Sequence, residues 1–362
     1  MKRDAEGFLY PEVNTEMCSN CRMCDRVCPV LNASSERKPL RALAVVNADD
    51  EVRRLSSSGG AFSLLAEKVI SQGGAVCGAR WNSSLDVEHT LVTTVQELAA
   101  LRGSKYVQSS AAHTLGRVRD YLREGRRVMF VGTPCQVMAL RRFLGSQDPD
   151  NLLTVDFICH GTASPAVWHY YIDQCERQMS RKQHDGMKVT SVSMRDKRNG
   201  WKNYQVTLRY ESADGSRHCE ESCHSSDNPF IRAHGSNLIL RPSCAQCPAK
   251  SGRSMSDITM ADFWGIEKVV PPMDDDRGTS LLLINTGKGN GFVSDIAGTE
   301  VEVSEALASN RSWAMPSAPH PKREQFMRGY RTARSFRWYV IRFVPYTIRG
   351  LLRKLRRDLT SK

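Results

Sequence analysis

The stretch Val128-Met129-Phe130-Val131-Gly132-Thr133-Pro134-Cys135-Gln136 decides how the chain is read. Four apolar residues form a short buried strand. A Gly-Thr-Pro turn follows, and the apolar-periodic segment after it predicts a helix over about 135–144. A second strand, Leu153–Cys159, comes next, then a helix over about 165–178. Working outward, Ala42–Val46 and Ala75–Ala79 are strand candidates. The turn Ser56-Ser57-Ser58-Gly59-Gly60 opens a helix carrying Phe62, Leu65, Val69 and Ile70 on one face. Another helix is expected over about 111–124. This alternation predicts an α/β fold with a largely parallel, mixed central sheet covered by helices. Residues 187–222 alternate as an antiparallel hairpin with Asp214-Gly215 as its turn, giving an α+β element. Strand Ser280–Asn285 and a helical stretch over 289–309 close the body.

Ahead of this body stands Cys18-Ser-Asn-Cys21-Arg-Met-Cys24-Asp-Arg-Val-Cys28-Pro29, a C-x2-C-x2-C-x3-C-P run. Thiolates at this spacing wrap one face of a 4Fe–4S cube. A disulfide knot fits poorly, because cysteines two residues apart do not pair easily. Zinc sites use two separated pairs more often than a packed run. In two-cluster ferredoxins the fourth cysteine ligates the other cluster, and here only one run exists. The lead-in, Glu6-Gly7-Phe8-Leu9-Tyr10-Pro11, resembles the linker after a first run. Three readings stay open: Cys28 is an orphan, it completes a single cluster, or the native start lies upstream.

A second cysteine set lies beside turns: Cys135 after Gly132-Thr133-Pro134, Cys159 before His160-Gly161, and the pair Cys244-x2-Cys247. Ligands in parallel-sheet proteins collect at such strand ends. Four thiolates suffice for a second 4Fe–4S cluster, and equally for a zinc ribbon plus two buried thiols. Cys77 reads as core. Cys219-x3-Cys223-His224 reads as a free thiol pair in a polar loop before it reads as a metal site.

The chain has 362 residues, 40% of them hydrophobic, and 12 cysteines. It has no apolar run near the roughly 18 residues that span a bilayer. Met1-Lys2-Arg3-Asp4 lacks a signal peptide's apolar core. Cysteine-rich without an export signal, the chain is expected in a reducing cytoplasm with its thiols on metal. From Pro321 to Lys362 thirteen Lys and Arg stand against Glu324 and Asp358, so eleven of the twelve net charges sit there. The rest is nearly neutral, which argues against nucleic-acid binding. Phe336, Tyr339, Val340, Phe343, Val344, Ile348, Leu351, Leu352, Leu355 and Leu359 recur at helical spacing, with Pro345 as a kink. Residues 336–359 therefore suit an anionic membrane surface, or else pack on the protein's own body.

Six motifs occur in order: Ser57-Ser58-Gly59-Gly60; Gly103-Ser104-Lys105-Tyr106-Val107-Gln108-Ser109; Val131-Gly132-Thr133-Pro134-Cys135-Gln136; Ile158-Cys159-His160-Gly161; Arg241-Pro-Ser-Cys244-Ala-Gln-Cys247; and Asp257-Ile-Thr-Met-Ala-Asp262-Phe263-Trp264-Gly265. Over about residues 5–315 the chain resembles the beta subunit of coenzyme F420 hydrogenase/dehydrogenase, a family that includes bacterial proteins attributed to polysaccharide-synthesis loci. The resemblance implies FAD and one or two 4Fe–4S clusters, the second on Cys135, Cys159, Cys244 and Cys247. It implies cofactor contacts at Ser57, Ser58, Gly59, Gly60, Ser104, Lys105, Tyr106, Gln108 and Thr133. The first of these also have a physical case. A helix start favours phosphate, glycines admit it closely, and Lys105 with Tyr106 adds a cation and an aromatic face. An ordinary capped helix explains Ser-Ser-Gly-Gly equally. His160 donates a proton to flavin or substrate, or makes a structural hydrogen bond. Asp262 and Trp264 shape the pocket or belong to the core. Two departures stand out: the first ferredoxin half is missing, and the basic tail has no counterpart in the hydrogenase subunit.

The expected organisation is a ferredoxin-type segment (1–32), a flavin domain (42–315) and a basic tail (321–362). The expected function is an oxidoreductase passing electrons between clusters and flavin. Its partners would be a redox protein or ferredoxin and a small or lipid-linked sugar, and it would be cytoplasmic or peripheral at the inner membrane face. An electron-transfer adaptor without its own substrate, and a non-redox scaffold in glycan assembly, are the competing readings.

Overall fold

The computed structural model describes residues 1–145, 149–348, 350–352 and 354. Its strands, in chain order, are β1 (Lys2–Arg3), β2 (Leu9–Tyr10), β3 (Arg41–Val45), β4 (Ala75–Trp81), β5 (Val87–Val92), β6 (Ser109–Ser110), β7 (Val128–Val131) and β8 (Leu152–Phe157). They continue with β9 (Met187–Asp196), β10 (Gln205–Ser212), β11 (His218–His224), β12 (Ile258–Asp262), β13 (Ser280–Ile284) and β14 (Thr299–Val301). Nine of them form one sheet in the order β14-β3-β13-β12-β8-β7-β4-β5-β6. Strands β12, β8, β7 and β4 run parallel in its middle. On one side β13, β3 and β14 add antiparallel, and on the other β5 pairs antiparallel with β4.

The centre is parallel because its strands are apolar on both faces. In β7, Val128 and Phe130 face one way, packing with Val118 and Leu122 of helix Thr114–Arg123 and Val137 and Leu140 of helix Pro134–Leu144. Met129 and Val131 face the other way, onto Leu65, Ala66 and Val69 of helix Ala61–Ser71. A second core forms between helix Pro165–Gln183 and the antiparallel sheet β9-β10-β11, around Trp168, Tyr171, Tyr210 and Phe230. The hairpin turns at Asp214-Gly215 as its sequence dictates, with Gly215 at φ +72°.

Three expectations are corrected. The stretch 289–309 is not one helix: it divides into helix Gly287–Phe292, edge strand β14 and helix Val303–Ala308. Glycines 289 and 291 keep the first helix weak and short, and Gly298 lets the chain come close to β3, where a Cβ would lie 3.0 Å from Val45 Cγ2. Strand β12, inside the Asp257–Gly265 motif, is a central strand that the sequence reading does not include. Cys219 and Cys223 lie on β11 rather than in a loop.

In the tail, helix Phe336–Phe343 is capped by Ser335 and stops at Val344, one residue before Pro345. Its apolar side is covered: Phe336, Val340 and Phe343 are buried with Phe326 and Tyr330. The stripe thus packs on the body over this helix, because aromatic residues of helices Pro165–Gln183 and Arg323–Gly329 supply a partner. Ile348, Leu351 and Leu352 stay exposed, and Leu355 and Leu359 lie outside the described residues. Among the described residues no helix is long and apolar enough to cross a membrane.

Asp156 on β8 is buried beside Ser254, Ser256 and Thr259, and burial pushes its carboxyl up to about 6. A carboxyl raised in the fold binds its proton more tightly there than in the unfolded chain. Its contribution to stability is present at low pH and is lost as pH rises through about 6. The expected outcome is that Asp156→Asn gains stability over the parent as pH rises from about 4 to 6. The gain levels off above that at roughly 2–3 kcal/mol. Denaturant unfolding of both proteins across this range checks it, and parallel curves would refute it.

Candidate functional site

Val131 of β7 sits opposite Val155 of β8 in the parallel ladder. Cys135 and Cys159 each follow four residues later, so both leave the sheet at its carboxyl end. Cys135 stands in the first turn of helix Pro134–Leu144, where Gln136 Oε1 accepts from the Thr133 N–H at 3.0 Å. The 3-10 turn Pro242–Gln246 carries Cys244 to the same place, with Cys247 just past it. Gly161, at φ +151°, lets that turn approach: a Cβ there would lie 2.9 Å from Leu240 and 3.5 Å from Cys244.

Cys135, Cys159 and Cys244 are each perturbed by their sulfur neighbours. Burial, then Cys247 and Cys244, push the Cys135 thiol up. Burial, then Cys135, Cys244 and Cys247, do the same to Cys159. Burial raises Cys244, with a further push from Cys247. Thiolates gathered in a half-buried place repel unless a cationic group joins them, and their chemistry therefore suits an iron–sulfur cluster. Arg241 and Lys250 supply nearby positive charge, and Lys250 Nζ donates to Cys159 O at 2.6 Å. Among the described residues no three His, Cys, Asp or Glu side chains are arranged to hold a single metal ion.

The first cysteine run lies at the surface. Cys18, Cys21 and Cys24 are exposed and Cys28 is half-buried, around the short helix Met23–Val27. That helix packs on helix Pro134–Leu144. Arg142, near the latter's end, donates to Asn32 O and to Ser34 Oγ, the second at 3.2 Å. One helix thus touches both cysteine groups. Of the others, Cys77 is core as expected, and burial pushes Cys175 up to about 12.

The proposed flavin contacts divide. Ser57 Oγ accepts from Ser104 N at 2.7 Å and Ser104 Oγ at 2.9 Å, so these two distant motifs meet. Ser58 Oγ donates to Thr279 O. Lys105 Nζ donates to the carbonyls of Leu101, Arg102 and Gly103, and burial pushes its pKa down to about 7. Tyr106 presents its ring to His234 at 5.0 Å, and His234 lies 5.4 Å from His160. Gln108 is occupied elsewhere: its amide accepts from Leu9 N at 2.7 Å and donates to Leu9 O at 3.0 Å, tying down the N-terminal segment. Thr133 Oγ1 lies 3.1 Å from Cys135 Sγ, beside the thiols.

Gly59 and Gly60 have a structural reason. A Cβ on Gly59 would lie 2.5 Å from Val45 O and 2.6 Å from Ser280 N. Gly60 caps helix Ala61–Ser71 at φ +90° against Asn47. Their lack of a side chain is used against the sheet, where the sequence offers ligand approach as the reason. Asp262 is a satisfied, half-buried acid: it accepts from both terminal nitrogens of Arg195, at 3.0 and 3.1 Å, and from the Trp201 Nε1–H at 2.9 Å. Trp264 stacks on Trp201 at 4.5 Å. Arg195, bonded also to Ser57 O and Tyr106 OH, is invisible in the sequence because its partners are far apart along the chain.

His160 Nε2 donates to Asn237 Oδ1 at 2.7 Å, an orientation fixed because Asn237 Nδ2 itself donates to Ala318 O. Ser317 approaches Nδ1 at 3.4 Å. Burial lowers the ring's pKa, so it is neutral at neutral pH.

The sequence pattern of a family described as the C terminus of the coenzyme F420 hydrogenase/dehydrogenase beta subunit matches residues 125–308. The chain belongs to this family. That membership gives it a redox setting, among subunits of hydrogenases and dehydrogenases. It is 25% identical over 146 residues to the F subunit of F(420)H(2) dehydrogenase from Methanosarcina mazei, a match covering 40% of this chain and 41% of that one. The chain thus spans less than half the length of that relative. A chain of the F420-reducing NiFe hydrogenase complex from Methanosarcina barkeri, solved as a xenon derivative, is similar at 15% identity and a TM-score of 0.48. The alignment covers 76% of this chain and 91% of that one.

Gly59→Ala is expected to destabilise by about 1–3 kcal/mol, because backbone on two strands must give way. Thermal unfolding checks this; an unchanged melting temperature would return the glycine to a ligand role.

Proposed function

We propose that the chain is an FAD- and iron–sulfur-dependent oxidoreductase. Cys18, Cys21, Cys24 and Cys28 would hold one 4Fe–4S cluster, and Cys135, Cys159, Cys244 and Cys247 a second. The observation that carries the reading is the convergence of the latter four, from three separate parts of the chain, beside Arg241 and Lys250. Ser57, Ser104 and Tyr106, gathered around Arg195, are the flavin contacts we favour, with Ser58, Gly59, Gly60 and Lys105 supporting the loops beside them and Thr133 standing beside Cys135. Bound FAD supplies two-electron hydride exchange, and bound clusters supply one-electron transfer. His160 is best read as a positioning residue. Its ring braces the turn after Cys159 between Asn237 and Ser317 and holds no proton for donation at neutral pH beyond the one given to Asn237. Tyr106, His234 and His160 pack ring to ring between the two cofactor regions and exclude water there.

The substrate we favour is a polysaccharide precursor, free or lipid-linked, handled in the cytoplasm. Contact with an anionic membrane face would fall to the exposed Ile348, Leu351 and Leu352. One observation favours the adaptor reading. Met17, Met23, Val30 and Leu31 are 84%, 59%, 65% and 66% exposed around the first cysteine run. An apolar rim on an exposed redox loop suits a partner protein that takes or gives electrons.

Anaerobically purified protein is expected to carry iron and sulfide for two clusters, and the visible bands of oxidised flavin. Cys135→Ala and Cys244→Ala should each lose about half the iron, while Cys175→Ala keeps all of it. Tyr106→Ala should lower flavin content at unchanged iron. Zinc at the second set, or a preparation without flavin, would overturn the corresponding part. Turnover of a small substrate without a partner separates the enzyme from the adaptor.

A further inference from the structure

A cleft of about 1020 Å³ opens between the segment around Ser317–Arg328, helix Phe336–Phe343 and the loop from Asn237 to Ala245. Much of its wall comes from residues beyond the family match. Arg241, Lys322, Arg323, Arg328 and Arg342 line it, against one acid, Glu324. Two of these cations are neutralised. Arg323 forms a two-pronged pair with Glu6, one contact at 2.9 Å, and Arg328 reaches Glu324 at 3.1 Å. Lys322 and Arg342 are exposed and make no side-chain hydrogen bond or ion pair among the described residues. Arg241 stacks on Tyr10 at 4.2 Å and donates to Leu9 O at 3.3 Å, but meets no carboxylate there, and its buried Nε has no partner.

Lys322 and Arg342 meet no carboxylate, and Arg241, which also supplies charge beside the cysteines, adds a third cation to the same wall, so a multiply charged anion is attracted by all three. Two guanidinium groups with an ammonium match the oxygens of phosphate or pyrophosphate better than a single carboxylate. The volume is that of an ordinary small-molecule site and leaves room for a group attached to the phosphate. The wall also reaches the cysteines: Asn237 and Ser317 hold His160 next to Cys159, and Arg241 precedes Cys244 by three residues.

We infer that this cleft binds a ligand carrying a phosphate or pyrophosphate group, held by Lys322, Arg342 and Arg241. Lys322 and Arg342, on which the test rests, take no part in the proposed flavin and iron sites. The test is calorimetric titration of the full chain with inorganic pyrophosphate, a nucleoside diphosphate sugar and a short polyprenyl diphosphate. Lys322→Glu and Arg342→Glu should each weaken pyrophosphate binding about tenfold, and together by more, with unchanged circular dichroism. Arg334→Glu makes the same charge change outside the cleft and should leave binding as it is. Tighter binding of the nucleotide compound names a soluble carrier, and of the prenyl compound a lipid carrier. The inference is overturned if the double variant binds like the parent, if Arg334→Glu weakens binding equally, or if sulfate or a single-stranded oligonucleotide binds as tightly as pyrophosphate.

Discussion

The parallel register of β7 against β8 is the constraint on which the site depends. With Val131 opposite Val155, Cys135 and Cys159 emerge in step from neighbouring strands. A slip of one residue would turn every side chain of one strand to the other face of the sheet. The register is held by two cores at once, because Val128 and Phe130 are buried on one face and Met129 and Val131 on the other.

The same helix that begins at Cys135 organises the rest. Helix Pro134–Leu144 starts in the cysteine set, covers one face of the sheet, and holds the N-terminal cysteine segment through Arg142. The N-terminal residues are tied to the body at further points. Glu6 pairs with Arg323, Ser164 Oγ donates to Glu6 O, and Gln108 brackets Leu9. The first cysteine run is therefore docked, and the tail that supplies Arg323 takes part in docking it. What reads along the chain as a basic amphipathic tail is, over helices Arg323–Gly329 and Phe336–Phe343, part of the second hydrophobic core.

Charge is arranged with the same economy. The buried Arg195 is held by Asp262, Ser57 and Tyr106 together, so three motifs far apart in sequence share one cation. A buried ion pair of this kind is weak evidence for stability but fixes geometry, since either partner alone would be a bare charge in a dry place.

The sequence by itself determined the strand–turn–helix units, because burial on both faces makes apolar runs and the Gly-Thr-Pro turn punctuates them. It marked the packed run Cys18–Cys28 and the pair Cys244-x2-Cys247 as candidate ligands, because spacing within a run is a local property, whereas Cys135 and Cys159 reach Cys244 only through the fold. The hairpin at Asp214-Gly215 was legible for the same reason, since a positive φ demands glycine there. The tertiary structure alone decided that β12 enters the centre of the sheet, about a hundred residues after β8. It also decided that Gln108 serves Leu9 and that Gly59 makes room for Val45 and Ser280. It turned the apolar stripe of the tail inward. A stripe at helical spacing says only that something covers it, and whether that is a membrane or the protein itself depends on surfaces contributed from elsewhere in the chain. Here Tyr170, Tyr171 and Phe326 provide the cover.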